Sequence, residues 1–141
     1  MKPIMQAKVF IVLVLPFLLV CCGGADKDYI WKNREVTVSA YNSLASQTVG
    51  NPSVAAWGDT LVNGMRVVAV SRDLIGLGLG YGTQVKIEGL KGIYQVKDKM
   101  HSRYRNRIDV FMGKDLERAK NWGQKKLTIA YRVKRDTIRS K

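Results

Sequence analysis

What most limits the fold of this chain is a set of six short runs with strand character, held apart by glycine-rich connections. Residues 35–41 (EVTVSAY) alternate and are rich in β-branched side chains. Residues 66–72 (RVVAVSR) are almost continuously apolar, which fits a buried strand. Residues 83–88 and 92–97 read as two strands joined by a turn at Gly89-Leu90-Lys91, and residues 107–112 (RIDVFM) and 125–133 complete the set. Helical character is scarce. Residues 114–122 (KDLERAKNW) place Leu116, Ala119 and Trp122 at helical spacing, with Asp115 in the first turn and Gly123 as stop. Residues 73–77 allow one further helical turn, capped by Ser71 or Asp73. The glycines at 76, 78, 80 and 82 mark an irregular connection, and no lysine motif or long amphipathic helix follows to make it a phosphate loop. A chain of 141 residues is one domain. The pattern predicts an all-β fold, a small barrel with one short C-terminal helix.

Within that frame, residues 96–113 (VKDKMHSRYRNRIDVFMG) carry two acids, Asp98 and Asp109, in a segment crowded with Lys and Arg. In the run 107–112, Ile108, Val110 and Met112 share one face, and Asp109 shares the other with Arg107 and Phe111. If the aliphatic face fills a core, the carboxylate points outward beside a cation and an aromatic ring, a corner suited to sugar. The alternative is a solvated strand acid paired with Arg107. Residues 42–63 lack periodicity, and loops of this length are uncommon unless functional. Trp57 is the expected contact residue there; its other reading is a cap on the core. His101 stands alone in a polar loop and is read as surface.

The N-terminus has the layout of a bacterial export signal: Lys2 and Lys8, an apolar stretch over residues 9–20, then Cys21-Cys22-Gly23-Gly24. About 12 apolar residues are too few for a membrane span, which needs roughly 20. Leu19-Val20-Cys21-Cys22 resembles a lipobox, with Cys22 acylated after cleavage of residues 1–21. A plain secreted or soluble periplasmic protein is the alternative. Both cysteines lie at the processing site, so the mature domain holds its fold without a disulfide. Residues 22–34 read as a tether, 35–133 as the domain and 134–141 as a basic tail. Removing Lys2 and Lys8 from the 24 bases leaves 22 against 11 acids, a mature charge near +11. Such a charge suits nucleic acid, a membrane surface or an anionic wall polymer, and export argues against nucleic acid.

Four pieces together resemble a known family: Val38-Ser39-Ala40-Tyr41, the run from Val68 to Ile75 (VAVSRDLI), residues 96–113, and Ala119-Lys120-Asn121-Trp122-Gly123. They are similar, in order, to the 3D domain, named for three aspartates. This domain occurs in cell-wall proteins and forms the C-terminal part of the membrane-bound lytic transglycosylase A family. The step from Asp98 to Asp109 matches the family's second and third aspartates. The first falls at Ser71 here, and Asp73, two residues on, is the residue to take over its role. Lys99-Met100-His101-Ser102 stands where the family often has a glycine pair. The resemblance implies a six-stranded double-ψ β-barrel acting on peptidoglycan at the cell envelope, on the outer membrane facing the periplasm. It implies Asp109, Asp98 and Asp73 as catalytic residues, with Arg107 and Tyr41 against the substrate, where Trp57 of the long loop is the further expected contact. A lytic transglycosylase needs one carboxyl that serves first as acid and then as base, with no metal or cofactor. Most other glycosidases use two carboxyls. The rival readings are an expansin-like wall-binding module and a structural lipoprotein.

Overall fold

The computed structural model describes residues 28–42 and 53–135. The segment read as an export signal, Cys22, residues 43–52 of the long loop and most of the basic tail lie outside the described residues. Six strands form: β1 (Tyr29–Tyr41), β2 (Val67–Val70), β3 (Gln84–Ile87), β4 (Tyr94–Lys99), β5 (Arg107–Phe111) and β6 (Lys125–Lys134). They close into one barrel in the order β1-β5-β2-β4-β3-β6, with β6 returning to β1.

The pairing pattern defines the topology. β1 with β5 and β2 with β4 are parallel; the other four neighbouring pairs are antiparallel. Replacing each strand by the one three places later in the chain maps this pattern onto itself. The parallel pair β1–β5 becomes β4–β2, and β1–β6 becomes β4–β3. Two three-strand halves therefore interlock, each parallel pair joining strands of opposite halves. This is the six-stranded double-ψ barrel, and closure leaves no strand edge unpaired.

The interior is filled by the inward half of each alternation. Val36, Val38, Val68, Val70, Val85, Val96, Ile108, Val110 and Ile129 are all essentially inaccessible to solvent. Burial of each such side chain contributes roughly 1.5–3 kcal/mol. Leu74 and Leu79 join the same core from α1 (Arg72–Ile75) and the turn after it. That turn needs a glycine at 78: with φ of +104°, a Cβ there would lie 2.8 Å from Val133 Cγ1. The helix α2 (Leu116–Trp122) is capped by Asp115, whose carboxylate accepts the Arg118 amide at 2.9 Å, and buries Ala119.

One sequence boundary is corrected. Residues 29–34, read as tether, are the first half of β1 and pair with β6 over Ile129–Lys134. Their side chains alternate too weakly to announce a strand. The ladder holds them instead, together with Arg132 over the Tyr29 ring at 4.4 Å and Lys86 over Trp31 at 4.5 Å.

A second, smaller apolar cluster sits outside the barrel wall. Ala55, Leu61, Val67 and Phe111 pack together with Tyr41 against them. It fastens residues 53–62 over the outward face of β1, β5 and β2. This segment closes on itself through a Val54–Thr60 bridge.

Candidate functional site

Four adjacent strands place one residue each in a row across the outer wall: Asp98 (β4), Ala69 (β2), Asp109 (β5) and Ser39 (β1). Residues in register share a face. The neighbouring rows, with Val96, Val68 and Val110, and with Val70, Ile108 and Val38, fill the core, so this row faces out. Ala69 separates the two acids along the row.

Asp98 reaches the row through a β-bulge. Val68 pairs with Val96, but the next residue, Ala69, pairs with Asp98, leaving Lys97 as the extra residue. Strict alternation from the inward Val96 would send Asp98 into the core. The inserted Lys97 reverses the phase and turns the carboxylate outward. There Asp98 is fully engaged. Its Oδ1 accepts the amides of Ala56 at 2.7 Å and Lys99 at 2.8 Å, and its Oδ2 accepts the Tyr41 hydroxyl at 3.3 Å. Burial, together with the charges of Asp98 and Asp109, pushes the Tyr41 hydroxyl far above its ordinary pKa, so it stays a donor. The Tyr41 ring rests on Phe111, centroids 5.4 Å apart.

Asp109 differs from Asp98 in both contacts and charge. Ser39 donates its hydroxyl hydrogen to Asp109 Oδ1, and Ser39 Oγ in turn accepts Arg107 Nε at 3.0 Å. Arg107 thus acts on Asp109 through Ser39, with its guanidinium also 5.0 Å from the Tyr104 ring. No donor among the described residues reaches Asp109 Oδ2. Burial raises the Asp109 pKa to about 6, against the opposing pull of Arg107 and with a further push from Asp98. A carboxyl so poised can exchange a proton near neutral pH.

The structure brings Asp98, Asp109, Arg107 and Tyr41 together. Trp57 stands nearby in the covering segment, packed partly on the core, edge-on to Tyr81 at 5.6 Å and beneath Lys99 at 4.8 Å. The segment is pinned by Asp59, which pairs with Lys97 at 2.8 Å and accepts the Tyr81 hydroxyl at 3.0 Å. Asp73 is placed elsewhere. Its Oδ2 accepts the amide of Asn106, a residue with φ of +48°, at 2.9 Å, and Ser71 Oγ accepts the next amide, Arg107, at 3.0 Å. The two side chains hold the turn into β5. Burial works to raise the Asp73 pKa, yet the Asn106 amide and other donors leave it below its ordinary value.

Sequence reasoning did not single out Ser39, Ala69 or the Ala56 amide as parts of the site. Ser39 was detectable, since Val36 and Val38 point inward and so set Ser39 and Tyr41 on one outer face. Ala69 and Ala56 join only through tertiary pairing. Among the described residues, no cluster of three His, Cys, Asp or Glu could hold a metal ion.

No family model matches the sequence, and no curated protein does. Solved structures do show similarity. One is the apo expansin of Clavibacter michiganensis, at 23% sequence identity and a TM-score of 0.45. The match covers 71% of this chain and 49% of the expansin chain, so this chain spans about half that protein's length.

Proposed function

We propose that this protein acts on peptidoglycan and cleaves the β-1,4 bond between N-acetylmuramic acid and N-acetylglucosamine in the manner of a lytic transglycosylase. The observation that carries the reading is Asp109: a half-buried carboxyl with its pKa raised to about 6 and one oxygen that no donor among the described residues reaches. As acid, its proton passes to the leaving glycosidic oxygen while the C1–O bond breaks. As base, the resulting carboxylate takes the proton of the muramic 6-hydroxyl, whose oxygen closes on C1. The products are a free sugar 4-hydroxyl and a 1,6-anhydro ring; no water is consumed. Asp98, with its oxygens occupied by three donors, serves as a fixed charge that keeps Asp109 protonatable. Arg107 and Ser39 orient it. Asp73 supports the turn that starts β5. Digestion of purified sacculi followed by muropeptide analysis tests the reading: anhydro products support it, and reducing ends formed with uptake of water contradict it.

A wall-binding module without cleavage is the second reading. It is favoured by Trp57 and Tyr81 lying with Lys97 and Lys99 beside the carboxylates. Rings and cations of this kind bind sugar and anionic polymer with no proton transfer. Stable sedimentation with sacculi and no released product marks that outcome. Lipid attachment at Cys22, placing the domain at the outer membrane facing the periplasm, belongs to the same proposal. Mass spectrometry of the mature N-terminus should find an acylated cysteine; an unmodified N-terminus at Gly23 or later would leave a soluble periplasmic or secreted protein.

A further inference from the structure

A cleft of about 610 Å³ opens beside the carboxylate row. Phe111 belongs to both: it lines the cleft, and its ring meets Tyr41, the residue that donates to Asp98. Three exposed cations, Arg66, Lys91 and Arg118, line the cleft around apolar side chains that include Tyr94 and Met112. The acid among the lining residues, Asp115, is occupied in capping α2. Among the described residues none of the three forms a direct ion pair, and the lining sets these three cations against the single acid Asp115. Arg66 is also held in place. Its guanidinium lies against the bare backbone of Gly92, where φ is +91° and a Cβ would come within 2.9 Å of Cζ and Nη1.

The lining asks for a ligand with several negative groups and small apolar ones between them. A short acidic peptide has both, and the volume is that of an ordinary small-ligand site. A bare phosphate would satisfy the cations but leave the apolar side chains without a partner. We infer that this cleft takes the carboxylate-bearing peptide stems that branch from the glycan, so that the protein engages peptide-substituted strands in preference to bare ones. The inference rests on the peptidoglycan reading above, and it adds a peptide subsite next to the sugar site.

The full chain, isotopically labelled, is titrated with soluble stem peptide released from sacculi by an amidase, and in parallel with inorganic phosphate. Peptide should shift the amides of Gly64 and Gly113, which line the cleft. The combined variant Arg66→Gln, Lys91→Gln, Arg118→Gln should weaken that binding at least about tenfold, since the affinity comes from several modest charge pairs acting together. All three are surface positions, so the variant should keep the wild-type melting curve. Peptide binding that is absent, or unchanged in the variant, overturns the inference. Phosphate binding as tightly as peptide overturns it too and marks a general anion site. The free peptide carries no glycan, so the titration reads the cleft alone. Activity on intact, peptide-bearing sacculi is measured separately, and its absence alongside retained peptide binding would count against the carboxylate row rather than the cleft.

Discussion

Two aspartates on one barrel wall do different work because their surroundings differ. Asp98 is satisfied by two amides and a phenol; Asp109 has one hydroxyl partner among the described residues. Burial raises the Asp109 pKa from 3.8 to about 6. A carboxyl raised on folding contributes its full stability below pH 4 and loses it as pH rises through about 6. At pH 8 the ionised, partly buried Asp109 therefore destabilises the fold by up to about 3 kcal/mol relative to a neutral side chain. Asp109→Asn should melt higher than wild type at pH 8 and alike near pH 4. Melting curves across that range check the sign, and a variant less stable than wild type at pH 8 would show that the carboxylate is not held at a cost. The residue pattern was partly legible from the start. Ile108, Val110 and Met112 mark the inward face of β5 and so place Asp109 outside. No pattern shows that Ser39 stands between Asp109 and Arg107, because their strands come together only when the barrel closes.

At the scale of elements, the bulge in β4 and the covering segment decide whether the site exists. Alternation in residues 92–97 locates the strand, yet carried on to Asp98 it predicts the wrong face. The extra residue shows only in the register against β2. Deleting Lys97 makes the ladder against β2 regular and leaves Asp98 outward, directly after the inward Val96, but it removes the Lys97–Asp59 pair that pins the covering segment. The deletion should therefore keep the barrel and lower activity through a loosened segment, read by circular dichroism and product release. A folded deletion with wild-type release would mean that the pinned segment does not set the site. β1 shows a second limit of sequence reading. Its first half, Tyr29 to Arg34, is a strand by virtue of β6, so a local composition that suggested tether was overridden by pairing. The helix α2, with its own cap and spacing, was readable within two residues because its signals are local.

At the scale of the whole molecule, periodicity made the barrel legible as a β fold of six short strands, while its double-ψ topology came only from the family resemblance. Two parallel pairs joining interlocked halves leave no trace in local periodicity. The charge, by contrast, is plain in composition. A formal +13 for the full chain should make binding to an anionic wall polymer weaken steeply with salt. Sedimentation with sacculi at low and high salt measures this; binding that does not change would assign the affinity to ring stacking near Trp57 and Tyr81. The central claim is that Asp109 moves the proton that breaks the glycan. The most direct measurement is the rate of anhydro-muropeptide release from sacculi by wild type and Asp109→Asn, followed from pH 4 to pH 8. The account predicts wild-type release that falls as pH rises through about 6, where Asp109 loses its proton. It predicts a rate about 10²–10⁴-fold lower in the folded variant below pH 6, with the gap narrowing above it as the wild type loses its acid. Release by Asp109→Asn at the wild-type rate would contradict it.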